Sequence, residues 1–156
     1  MSEPAPIPKS VAETLPQADL GSYRLEDQIG FYLRRAGQRH AGIFAGRMDE
    51  DLTPTQWAAL VKLAELKCVS QNLLGRETAM DAATIKGVVD RLIRRGFVST
   101  RPDKTDGRRT LVELTPAGCD ALRAGLSAAA AITEETLKPL TLSEQGILVG
   151  LLRRIS

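Results

Sequence analysis

Long apolar runs are missing from this 156-residue chain. No stretch approaches the ~20 consecutive apolar residues that a membrane-spanning helix needs, so no membrane partner is expected. Histidine occurs once, as His40, and cysteine only twice, as Cys68 and Cys119, with no Cys-x-x-Cys pair. A structural zinc site and a disulfide framework are both excluded on those counts, and two unpaired thiols suit a reducing compartment. A nucleophile elbow, a Gly-rich phosphate loop and a ligand cluster are absent too. Neither metal nor cofactor is expected, and no enzyme. The N-terminus lacks a basic segment followed by an apolar one, so a secretory leader is not read there and the expected location is the cytoplasm.

What the chain does have is positive charge in one place. Between Thr84 and Arg109 there are eight basic residues (Lys86, Arg91, Arg94, Arg95, Arg101, Lys104, Arg108, Arg109) against three acidic ones, Asp90, Asp103 and Asp106, a local net of +5. The whole chain carries only +2, so the remainder sums to −3. Cationic charge concentrated on one segment is the footprint of a polyanion partner.

That segment reads as helix, turn, helix and then a two-stranded hairpin. Asp81 is a good N-cap, and Ile85, Val88, Val89 and Leu92 follow at i, i+3, i+4 and i+7 to make one apolar face. Gly96 stands where a left-handed residue stops the helix. The other face carries Ala83, Gly87, Asp90, Arg91 and Arg94, with Thr84 and Lys86 at its margins. Small Ala83 and Gly87 permit close approach of a bulky partner. Arg91, Arg94 and Arg95 suit phosphates, while Thr84 and Lys86 suit base edges.

Past Gly96, Phe97 and Val98 begin a strand that Pro102 ends. Asp103-Lys104-Thr105-Asp106-Gly107 supplies turn chemistry, Asp-Gly being a strong hairpin signal. A second strand runs over 109–114, and Thr115-Pro116 opens a new helix with an N-cap Thr and Pro at the first position. The layout is that of a winged helix, which puts its second helix in the major groove and its hairpin along the minor groove.

Asp106-Gly107-Arg108-Arg109-Thr110-Leu111-Val112-Glu113-Leu114-Thr115-Pro116-Ala117-Gly118 resembles the D-x-R-x-x-x-[VL]-x-L-T-x-x-G wing pattern of MarR-type transcriptional regulators. Val89-Asp90-Arg91-Leu92 with Arg95-Gly96-Phe97-Val98 resembles the end of their recognition helix, and the likeness covers roughly residues 25–155. It implies that Arg108 is the wing-tip arginine that enters the minor groove, with Asp106 orienting its guanidinium. It also implies a homodimer on double-stranded operator DNA, released when a small effector, often an aromatic acid, wedges between the dimer helices and the winged domain.

The rest of the chain fits around this unit. Residues 1–22, with Pro4, Pro6, Pro8 and Pro16, read as an N-terminal arm. A long helix is expected from 25 to about 48, with Leu25, Ile29, Leu33, Ala36, His40 and Ile43 on one face. An acidic break, Asp49-Glu50-Asp51, precedes a capped helix from Thr53 that carries Trp57, Leu60 and Leu63. A helix from Pro116 to about 137 and a last one behind the capping box Thr141-Leu142-Ser143-Glu144 complete the chain. The expected fold is mainly α with a small β-wing: a winged helix-turn-helix over 53–115, flanked by dimerisation helices over 23–48 and 116–156. Tyr32, Arg39, His40, Phe44 and Trp57 are the candidate effector contacts, Arg39 as partner for a carboxylate. Two other readings stay open at this point. One is an architectural DNA-binding protein without an effector; the other is a redox-sensing regulator using Cys68 or Cys119.

Overall fold

The structure, a computed structural model, describes residues 20–48 and 51–156. The expected arm over 1–22 therefore lies almost wholly outside the described residues, as do Asp49 and Glu50 of the acidic break. Two compact units divide the chain between Arg35 and Ala36.

In the first unit the expected helix start at Leu25 is corrected. Leu25–Asp27 form one 3-10 turn behind an extended Arg24 that makes no side-chain cap. Gln28 then returns to extended geometry (φ −95°, ψ 127°), and that break in the ladder delays the long helix α1 to Ile29–Arg47. Phe31 and Tyr32 meet edge to face at 5.5 Å between ring centroids.

The second unit is built on α2 (Pro54–Leu66). Thr53 and Gln56 form its capping box, each accepting a backbone N–H from the other, with Pro54 at the first position where no N–H is needed. Leu60 and Leu63 of α2 are fully buried. β1 (Cys68–Ser70), absent from the sequence reading, leads into α3 (Gln71–Glu77) and α4 (Ala82–Arg94). β1 pairs antiparallel with β3 (Thr110–Leu114), which pairs on its other side with β2 (Val98–Pro102), giving the sheet order β1-β3-β2. Three residues are too few to display a period of two, so only the partner strand reveals β1. α2 packs on β1, β3, α3, α4 and, further along the chain, the helix that begins at Pro116.

Ile85, Val88, Val89 and Leu92 of α4 are all buried, as their spacing predicts. Each contributes about 1.5–3 kcal/mol by leaving water. Asp81 caps the helix by accepting from the Thr84 backbone N–H at 2.7 Å. That bond, with a second from the Thr84 hydroxyl, holds the Asp81 carboxyl below its ordinary range. Gly96 has φ +73°, the left-handed stop its position requires.

α5 (Pro116–Leu137) and α6 (Leu142–Ile155) close the chain. Thr115 anchors the start of α5. Its hydroxyl donates to the Gly96 carbonyl at 2.6 Å and accepts from the Gly118 N–H, while its own N–H donates to the Phe97 carbonyl at 3.0 Å. α6 buries none of its residues; Leu142 is 86%, Ile147 59% and Ile155 68% exposed.

Candidate nucleic-acid interface

The outer face of α4 is open along its length. Ala83, Thr84, Lys86, Asp90, Arg91 and Arg94 are all exposed, and Gly87 is half-covered. The cover is Arg91, whose guanidinium lies 3.4 Å from where a Gly87 Cβ would stand. Lys86 is not idle: its ammonium pairs with Asp90 at 2.8 Å, one helical turn on. Both ends of that pair are exposed, so it is worth only a few tenths of a kcal/mol, about 0.3–0.5. Alanine at Lys86 or Thr84 is expected to change the preferred DNA sequence more than the salt slope of binding, measured by selection from a random-sequence pool. Retention of the same preferred site by both variants would remove them from base reading.

Arg91, Arg94 and Arg95 share a cleft of about 480 Å³ with Gln56 and Asp51. Arg95 is the least available of the three. Its guanidinium lies 4.6 Å from the Phe97 ring centroid, a cation–π arrangement that ties it to the turn after α4.

The wing tip differs from the expected Asp-Gly hairpin. Seven residues, 103–109, separate β2 from β3, with Pro102 opposite Thr110 in the register. Gly107 is not among the residues with positive φ, so a mirror-image two-residue turn is not what closes the loop. Two aspartates do. Asp103 accepts from the Thr105 N–H at 2.9 Å and its hydroxyl at 2.8 Å, bonds that hold its carboxyl below the usual range. Asp106 accepts from the Arg108 N–H at 3.1 Å.

Here the expected role of Asp106 is corrected. It orients the Arg108 backbone, while its ion pair goes to Arg109, whose Nε is 3.3 Å from the carboxylate. The sign is physical: a neighbour two residues on in a tight turn presents its N–H, and the next one presents its side chain. Arg108 itself is exposed, and its guanidinium has no hydrogen bond or ion pair among the described residues. Lys104 is exposed at the same tip, whereas Arg101 lies along the sheet, 3.7 Å from Glu113 and 3.4 Å from Cys68 Sγ.

Between the wing and the start of α3 lies a polar cleft of about 410 Å³, lined among others by Gln71, Asn72, Arg76, Arg108 and Arg109. Three of those five were missed in the sequence. Gln71, Asn72 and Arg76 stand upstream of the basic segment, and only the pairing of β1 with β3 brings α3 to the wing. Arginines flanking a cleft with amide side chains suit a phosphate oxygen, which accepts several donors at once.

The candidate effector residues have different surroundings. Phe44 is buried in the core and borders a cleft of about 230 Å³ with Ala41, Ala45, Met48, Leu52, Thr53 and Pro54, without His40 or Trp57. Trp57 packs on α5, where a Cβ on Gly125 would come within 2.6 Å of its ring. Gly125→Ala is therefore expected to cost about 1–3 kcal/mol by overpacking, read from urea unfolding followed by the fluorescence of this single tryptophan. Arg39, expected to meet a carboxylate, already donates to the carbonyls of Thr136 at 2.6 Å and Glu135 at 3.0 Å. Two of its five N–H donors are thus committed to α5. His40 is half-buried beside Thr136, at 3.0 Å, with the Phe44 ring 6.3 Å away, and Tyr32 is 51% exposed.

Cys68 is not set up as a sensor. Burial pushes the Cys68 thiol up, and Glu113 adds to it against the opposing pull of Arg101. A thiol held protonated is a poor nucleophile.

Known proteins share this arrangement. Residues 52–110 match the MarR family model. The HTH-type transcriptional repressor NicR of Pseudomonas putida is 38% identical over 134 residues, 85% of this chain and 85% of its own. A probable transcriptional regulator from Pseudomonas aeruginosa, known as a crystal structure, is 58% identical, with TM-score 0.82 over 85% of this chain and 100% of that one. BpsR of Bordetella bronchiseptica, whose DNA binding is regulated by 6-hydroxynicotinic acid, is 36% identical, with TM-score 0.81 over 86% of this chain and 97% of its own. With its helix-turn-helix, its three-stranded wing and relatives at these identities, the chain belongs to the MarR family of transcriptional regulators and is not an enzyme.

Proposed function

We propose that this protein is a homodimeric repressor that binds a pseudo-palindromic operator and is released by a small hydroxylated aromatic acid. The observation that carries the reading is the exposed cationic charge on the α4 outer face, on the wing tip, and in the cleft between the wing and α3 at Arg76, Arg108 and Arg109. α4 enters the major groove, Arg108 the adjacent minor groove, and the cleft takes a phosphate between them.

Exposed apolar side chains support the dimer. Leu148, Leu151, Leu152 and Ile155 on α6 form a stripe that the second unit leaves in water, and Leu25, Ile29 and Leu33 are exposed in the first. Unsatisfied apolar stripes of this kind mark protein interfaces. A two-fold partner then sets the two recognition helices about 34–36 Å apart, one turn of DNA.

Release requires the effector to prefer a protomer spacing that misfits the grooves. The regulation of BpsR by 6-hydroxynicotinic acid supports a ligand of this class, and the single His40, half-buried on α1, is the polar group to receive it. The domain roles follow: winged helix-turn-helix over 53–115, dimerisation through 23–48 and 116–156. Gel shift on the DNA upstream of the protein's own gene, with 6-hydroxynicotinic acid and other hydroxylated aromatic acids as competitors, tests the whole reading. A saturable, sequence-specific complex dissolved by one of the acids is expected. A complex with no sequence preference, indifferent to every acid, would favour an architectural protein instead.

A further inference from the structure

His40 sits at the end of a chain of hydrogen bonds whose direction is decided by proton counting. Thr136 Oγ1 lies 2.7 Å from the Ile132 carbonyl oxygen, one turn earlier on α5, and 3.0 Å from His40 Nδ1. A threonine hydroxyl carries one proton. Two oxygens at 2.7 Å repel unless that proton lies between them, and the carbonyl has none to give. The hydroxyl therefore donates to Ile132, and its lone pair faces the imidazole. Only Nδ1–H then completes the contact, and 3.0 Å is an ordinary N–H···O distance.

We infer that Thr136 is a positioning residue that selects the Nδ1–H tautomer of the His40 imidazole, leaving Nε2 as the hydrogen-bond acceptor offered to a ligand. Imidazole in water prefers the opposite tautomer, so the protein imposes this one. The arrangement is braced by Arg39, which grips the Glu135 and Thr136 carbonyls and keeps the two helices in register at that level. Nε2 has no hydrogen bond among the described residues. The consequence is selectivity: the ring rejects a ligand that offers only acceptors and takes one that donates, such as a hydroxyl or a ring N–H on an aromatic acid. A site that hydrogen-bonds a substrate donor discriminates strongly against the analogue lacking it. This rests on the effector reading above and adds the group that the effector must carry.

The experiment uses the whole 156-residue chain, in which His40 is the single histidine. Nitrogen-15 histidine NMR at a pH where the ring is neutral reads the tautomer directly, without any ligand. Nδ1–H is expected in the wild type and in Thr136→Ser, and a mixture dominated by Nε2–H in Thr136→Val. Titration calorimetry then compares 6-hydroxynicotinic acid with 6-methoxynicotinic acid, which lacks the donor. The wild type and Thr136→Ser are expected to favour the hydroxy compound at least tenfold, and Thr136→Val to lose most of that preference. An Nε2–H wild-type ring, or an undiminished preference in Thr136→Val, overturns the inference while leaving the effector reading in place. Nδ1–H in the wild type with no binding of either acid overturns the effector reading, and with it the donor requirement.

Discussion

Arg108→Ala is expected to lower affinity for operator DNA at least tenfold while the folded protein survives. The side chain projects from the wing tip with no internal partner among the described residues, so its removal costs the fold nothing by lost contacts. What it costs is a charge held in place at the duplex. A guanidinium inserted in a groove is worth about 1–3 kcal/mol, and the proposed dimer would lose it twice. If Arg108 also displaces a counterion, the slope of log affinity against log salt should flatten by roughly 0.9 for each arginine lost. Fluorescence anisotropy across a salt series measures both quantities. Arg109→Ala is the informative comparison, because Arg109 is already paired with Asp106 and should lose less. Unchanged affinity in Arg108→Ala would remove the wing from the interface.

Gly118→Ala is expected to be the most damaging single methyl in the chain, destabilising by about 3 kcal/mol or more. A Cβ at Gly118 would lie 1.9 Å from the Phe97 carbonyl oxygen and 2.9 Å from its carbon. Those atoms are backbone, and they are held there, since the same carbonyl accepts the Thr115 N–H at 3.0 Å. Relief therefore requires α5 to pull away from the turn after α4, breaking the Thr115 cap and the contact that joins the wing to the long helix. Contrast Gly125, where the obstructing atoms belong to the Trp57 side chain and can turn aside. Urea unfolding by far-ultraviolet circular dichroism reads the loss. A cost under about 1 kcal/mol would mean that the first turn of α5 moves freely.

Gly118 also explains why the wing pattern ends in glycine. As a string, the run Leu114-Thr115-Pro116-Ala117-Gly118 is a capped helix start with an unexplained last letter. In the folded chain, Thr115 and Gly118 are the two faces of one contact: the threonine reaches back to Gly96 and Phe97, and the glycine leaves room for it.

The local signals carried far because they are short-range chemistry. The caps at Thr53, Asp81, Thr115 and Thr141 each accept a backbone N–H three residues on. The 3–4 residue spacing of Ile85, Val88, Val89 and Leu92 predicts burial without reference to any other element. The aspartates of the wing were legible as turn residues, though not the bonds they make. Asp106 looked like the partner of Arg108 because likeness gives a pair of residue types, and geometry decides which of two adjacent arginines turns toward the carboxylate.

By itself, then, the sequence determined the order of the α-helices, the cationic segment, and the wing that identifies the family, because periodicity, capping and charge are properties of neighbours along the chain. Only the tertiary structure decided that β1 exists, that Arg76 joins Arg108 in one cleft, that Arg39 is spent on α5, and that Thr136 faces His40. Those are contacts between residues far apart in sequence, and a lone strand of three residues or a threonine on a distant helix leaves no mark on the string until its partner is beside it.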